Sequence, residues 1–167
     1  KEDGLTIKTR TDYYYMAASG EDLDWTVSYD VEAAVDKVID TSKKSSAAFY
    51  NGGDKPSYTI GFRAGAVSTK STYSDTNLDD YDDLIETHKA TGTFSIAGDG
   101  TITADIVEGR LLSKTYYYLE DDLLTLPDER EMIDYAFGYK EDGLTIKTRT
   151  DYYYMAASGE DLDWTVS

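Results

Sequence analysis

The side chains that could do chemistry here are carboxylates and phenols, and little else. The chain of 167 residues holds 33 Asp and Glu, 16 Tyr, one His and no Cys. The missing thiols exclude a zinc thiolate site, a disulfide framework and a cysteine nucleophile. A single imidazole, His88, leaves no partner for a His-based metal site. It falls at the end of an apolar stripe with helical spacing, so a packing role is expected for it. No G-x-S-x-G, glycine-rich phosphate loop or H-E-x-x-H pattern is present. Paired carboxylates can hydrolyse glycosides. With acids this abundant, however, pairs arise from composition, and no spacing selects two of them. The expectation is a protein that is not an enzyme.

The densest set of hard oxygens is Asp75, Asn77, Asp79, Asp83 and Glu86. They stand at positions 1, 3, 5, 9 and 12 of a 12-residue window, which resembles the spacing of an EF-hand calcium loop. Two positions depart from that pattern. Asp80 stands where the sharp turn needs glycine, and Asp82 stands where an apolar residue belongs. The competing reading is the acidic start of an amphipathic helix. A looser calcium site at Asp75, Asn77 and Asp79 fits both readings. No cofactor is required by the sequence, and calcium is the one ion it would suit.

The aromatic residues form a second candidate. In an extended strand Tyr13 and Tyr15 share a face and Tyr14 points the other way. Trp25 follows across a turn. Tyr13, Tyr15 and Trp25, with their copies Tyr152, Tyr154 and Trp164, are the candidate partner-binding residues, as a platform for a sugar ring or a protein surface. Core and cross-strand packing is the competing use of the same rings.

Those copies exist because residues 1–28 recur without a change as residues 140–167, an offset of 139 residues. One period is the size of a single domain. The expected organisation is therefore a repeat-unit domain over 1–139 and the start of a second copy over 140–167. A chain that opens within a repeat is expected to be a piece of a longer one, so a missing signal peptide carries no weight.

Composition limits the partners. Net charge is −17, and apolar residues make up 40% of the chain. Without the second copy the balance is 13 basic to 27 acidic residues, still −14. Such a charge repels nucleic acid and anionic membranes. No run approaches the roughly 18 apolar residues that would span a bilayer.

The elements that must position these groups follow from periodicity. Leu5, Ile7, Thr9, Thr11, Tyr13 and Tyr15 alternate with polar residues, as do Trp25, Val27 and Tyr29, predicting a hairpin around 18–22. Further strands are expected at 46–50, 57–68 and 111–119. A hairpin turning at Ala97-Gly98-Asp99-Gly100 is the clearest in the chain. Helical spacing predicts helices over 31–41, 77–89 and 127–137, the last opened by Pro127. The expected fold is α+β, antiparallel hairpins with three short helices. An all-β sandwich replaces it if those helices are absent.

The function expected from these features is structural: one repeat of an acidic, secreted surface fibre or adhesin stalk. Its partners would be adjacent repeats or identical chains, with a glycan or host surface as a further partner. Its place would be extracellular or on the cell surface. The alternative is a binding module for a glycan or small apolar ligand, carrying an engineered segment duplication.

Overall fold

The computed structural model describes residues 6–16, 20–34, 43–74, 84–117, 133–154 and 162–166. Ten strands account for nearly all of them: β1 (Thr6–Tyr15), β2 (Leu23–Ala34), β3 (Lys44–Phe49), β4 (Tyr58–Arg63) and β5 (Ala66–Ser74), then β6 (Leu84–Ile96), β7 (Ile102–Tyr117), β8 (Ile133–Tyr139), β9 (Ile146–Tyr154) and β10 (Leu162–Val166). Hydrogen bonding follows chain order from β1 to β10, an antiparallel meander.

The α+β expectation is wrong. Among the described residues there is no α-helix. Residues 31–34 continue β2, residues 84–89 open β6, and residues 133–137 lie in β8. The rest of the three expected helices falls outside the described residues. The physical reason is visible in β8, where all seven residues are half-buried. A strand covered partly on both faces loses its period of two and reads as an unpatterned apolar run. His88 accordingly sits in a strand, with its Nδ1 buried and lacking a hydrogen-bond partner.

The strand expected over 57–68 is two strands. Ala64 and Gly65 both take positive φ, 51° and 78°, and make the two-residue turn between β4 and β5. That conformation matches the twist of a hairpin and favours glycine at its second position. Gly61 serves another purpose. A Cβ there would come within 2.4 Å of Thr69 Oγ1 on the returning strand, while Ser68 Oγ donates 3.0 Å to the Gly61 carbonyl.

The chain forms two compact units: residues 1–70 with 90–109, and residues 71–89 with 110–167. The first contains the core. Trp25, Val27 and Tyr29 alternate inward from β2, joined by Ala47 of β3 and Ile60 of β4. Phe94, Ile96, Ile102, Ala104 and Ile106 from the β6–β7 hairpin pack against them. Trp25 lies 4.8 Å from Phe49 and 5.5 Å from Phe94, centroid to centroid, tilted in the first case and edge-on in the second. Such ring pairs each contribute about 0.5–1.5 kcal/mol beyond area burial.

In the second unit Tyr116 and Tyr135 stack at 4.6 Å across β7 and β8. The Arg149 guanidinium lies 4.9 Å from the Tyr135 ring centre. The β8–β9 turn is closed by Asp142. Its carboxylate accepts from the Leu144 and Thr145 N–H groups and from the Thr145 hydroxyl. Gly143 then takes φ +68°, with Arg110 packed where a Cβ would stand.

Candidate ligand-binding cleft

Within the first unit, the end of β1 meets the β6–β7 turn and leaves a cleft of about 350 Å³. Its walls are Tyr13, Tyr14 and Tyr15, Asp24 at the start of β2, and Asp99 to Ile102. Each wall has a local cause. The tyrosines are carried by strand alternation, with a register shift between Tyr14 and Tyr15 where Tyr14 pairs with Trp25 and Tyr15 with Leu23. Such a bulge bends the strand and re-aims the side chains beside it. The opposite wall is an Asp-Gly turn. Asp99 Oδ1 accepts from the Thr101 N–H at 2.9 Å, and Gly100 takes φ +87°.

Alternation divides the aromatic residues by role. Tyr13 and Tyr15 are 60% and 55% exposed, and Trp25 is 5% exposed. Tyr13 and Tyr15 thus face outward, and Trp25 belongs to the core. Tyr14 is half-buried and lies 3.8 Å from the place a Gly100 side chain would occupy. Beneath it Tyr29 is buried. Burial pushes its hydroxyl pKa well up, assisted by its hydrogen bond with Tyr14. Of the copies, Tyr152 is half-buried in the second unit, and the side chains of Tyr154 and Trp164 lie outside those described.

Two carboxylates line the cleft, Asp24 and Asp99. Hydrogen bonds from Thr101 hold the Asp99 carboxyl below the ordinary carboxylate range. It is therefore a hydrogen-bond acceptor at any pH near neutral, and poorly suited to protonate a leaving group. Acceptors in a tyrosine-lined cleft can orient hydroxyl groups. Sequence reasoning missed Asp24, Asp99 and Thr101 as members of this site. The Asp-Gly turn at 99–100 was legible, but its juxtaposition with the Tyr triplet depends on tertiary packing.

The calcium set is not assembled by the described residues. Asp75, Asn77, Asp79 and Asp83 lie outside them. Glu86 is in β6 and forms an ion pair with Lys114, whose pKa that hydrogen bond raises. Among the described residues no group of three or more His, Asp or Glu is arranged to hold a metal ion. No described helix is long and apolar enough to cross a membrane.

A second hollow, about 590 Å³, belongs to the second unit and lies against the β8–β9 turn. Arg110, Lys140 and Lys147 line it together with Tyr139, Glu141 and Asp142, so it carries mixed charge.

These features define a class, an antiparallel β protein with an aromatic-acidic cleft. Comparison with protein-family models, curated proteins and solved structures gives no match to this chain.

Proposed function

We propose that this chain is a binding module for a neutral glycan, seated in the cleft between β1 and the β6–β7 turn. The observation that carries the reading is a single cleft lined by Tyr13, Tyr14 and Tyr15 together with Asp24 and Asp99. A sugar ring offers an apolar C–H face and a rim of hydroxyls. Tyrosine rings match the face, and carboxylates accept from the rim. The cleft volume lies at the small end of ligand sites, suited to one or two sugar rings. The net charge of −17 disfavours uronic, sulfated or phosphorylated ligands.

The reading as a spacer in a surface fibre draws on the duplicated segment and the composition, and makes no use of this cleft.

Titration calorimetry against a panel of neutral oligosaccharides tests the proposal. A binding member should lose at least tenfold in affinity with Tyr13→Ala or Tyr15→Ala, and several-fold with Asp99→Asn. Failure of every neutral sugar to bind, or binding that survives both tyrosine substitutions, rejects it.

A further inference from the structure

Strands β1 and β9 are the same sequence, Ile7–Tyr15 repeating as Ile146–Tyr154. They also make the same hairpin. Asp12↔Val27, Tyr13↔Thr26, Tyr14↔Trp25 and Tyr15↔Leu23 reappear as Asp151↔Val166, Tyr152↔Thr165, Tyr153↔Trp164 and Tyr154↔Leu162, with the register shift in the same place. The ion pair between Arg10 and Asp12 recurs between Arg149 and Asp151. The two hairpins sit in different units, so their register is encoded within the hairpin itself.

In an antiparallel ladder, alternate residues turn their N–H and C=O groups to opposite edges. Two strands with one sequence and one inner register therefore present the same outer edge. In β9 that edge is filled by β8, through Tyr135↔Asp151, Ala136↔Thr150, Phe137↔Arg149, Gly138↔Thr148 and Tyr139↔Ile146. In β1 no described strand fills it. The residues left open are Asp12, Thr11, Arg10, Thr9 and Ile7, matching the β8 partners one for one.

We infer that the outer edge of β1 is a docking site for strand β8 of a second copy of this chain, which gives up its own β9–β10 hairpin to bind. The site is independent of the sugar cleft. Every residue of β9 that β8 leaves behind has an identical counterpart on β1. Arg149 lies 4.9 Å and 5.8 Å from the Tyr135 and Phe137 ring centres, and Arg10 takes its place. Gly138 admits Thr148, whose Oγ1 stands 2.6 Å from where a Cβ would be, and it admits Thr9 in the same way.

The incumbent hairpin is loosely held. Within it Ile146, Tyr153 and Val166 are 48%, 43% and 52% exposed. A long unpaired edge is a template for another strand. The pairing is head-to-tail, so it extends into a string and does not close as a two-fold dimer.

The chain has no cysteine, so single thiols report pairing directly. Full-length T11C and A136C chains are mixed, left to exchange and oxidised, and separated without reductant. The mixed two-chain product should exceed that from T11C with K43C, an exposed control position, by at least tenfold. It should rise with concentration. The double variant A136C/T150C locks β9 onto β8 when oxidised and should stay monomeric by light scattering, while the unsubstituted chain self-associates. Three results overturn the inference: no mixed product; T11C joining itself or V166C in preference to A136C; or an unsubstituted chain that remains monomeric at millimolar concentration. The last needs no variant to fold.

Discussion

Val27 and Val166 occupy the same position of the duplicated hairpin, paired with the equivalent aspartates Asp12 and Asp151, yet Val27 has no exposed surface and Val166 is 52% exposed. Local pairing is therefore identical while burial is not. Val27→Ala removes two buried methyls from a packed core and should cost about 2 kcal/mol, transfer and cavity together. Val166→Ala should change stability by less than about 0.5 kcal/mol. Urea unfolding of the two variants checks this. Equal costs would mean that the second hairpin is packed as firmly as the first.

Tyr29 makes stability depend on alkali. Burial, chiefly, and its hydrogen bond with Tyr14 raise its pKa above that of a free phenol. The folded state then favours the neutral hydroxyl. Its contribution is fully present below the unfolded pKa near 10 and is lost as pH rises beyond it. Tyr58, raised by burial and by the nearby Asp24 charge, adds in the same direction. Stability should be flat from pH 7 to 9 and fall above about 10. Tyr29→Phe should cost about 1 kcal/mol at neutral pH, through the lost hydrogen bond, and should flatten the alkaline limb. Urea midpoints measured from pH 7 to 12 decide it.

The hairpin of β1 and β2 was legible because Trp25, Val27 and Tyr29 face the core while Thr26 and Ser28 do not, which writes a period of two into the sequence. The turn at Asp99-Gly100 was legible from its residues. What misled was partial burial on both faces. In β5, residues Val67 to Ser74 are all half-buried, and in β6 so are Leu84 to His88, so neither segment alternates. Leu84, Ile85 and His88 then fit helical spacing by accident. The cleft was half legible. Tyr13 and Tyr15 were read from alternation, but Asp99 lies more than eighty positions away, and only packing of the β6–β7 turn against β1 brings it there.

Gly92 is required by close approach. A Cβ there would lie 2.0 Å from the Asp105 carbonyl oxygen, and its φ of +132° is one that other residues avoid. Relief would have to come from backbone on the paired strand β7. Gly92→Ala should therefore destabilise by more than about 2 kcal/mol. Gly98 offers the control, since a Cβ there meets nothing within 4 Å. Gly98→Ala should fall within about 0.5 kcal/mol of the unsubstituted chain. Thermal melts of both variants test the contrast, and a tolerated Gly92→Ala would show that β6 and β7 can part at this point.

Asp142 makes the β8–β9 turn sensitive to acid. The Thr145 hydroxyl, then the Thr145 and Leu144 N–H groups, hold its carboxyl at about 2. A lowered pKa in the folded state stabilises when the group is ionised. That contribution is present above the unfolded value, near 3.9, and is lost as pH falls through about 2. Because Asp142 closes the turn between β8 and β9, the loss should appear first as loosening of that hairpin. Hydrogen exchange at Ile146 to Tyr154 should quicken between pH 4 and 2 beyond its intrinsic pH dependence, with no matching change at Trp25 to Tyr29. Asp142→Asn cannot ionise and should erase the excess in that window. Excess exchange that survives the substitution would place the acid sensitivity elsewhere.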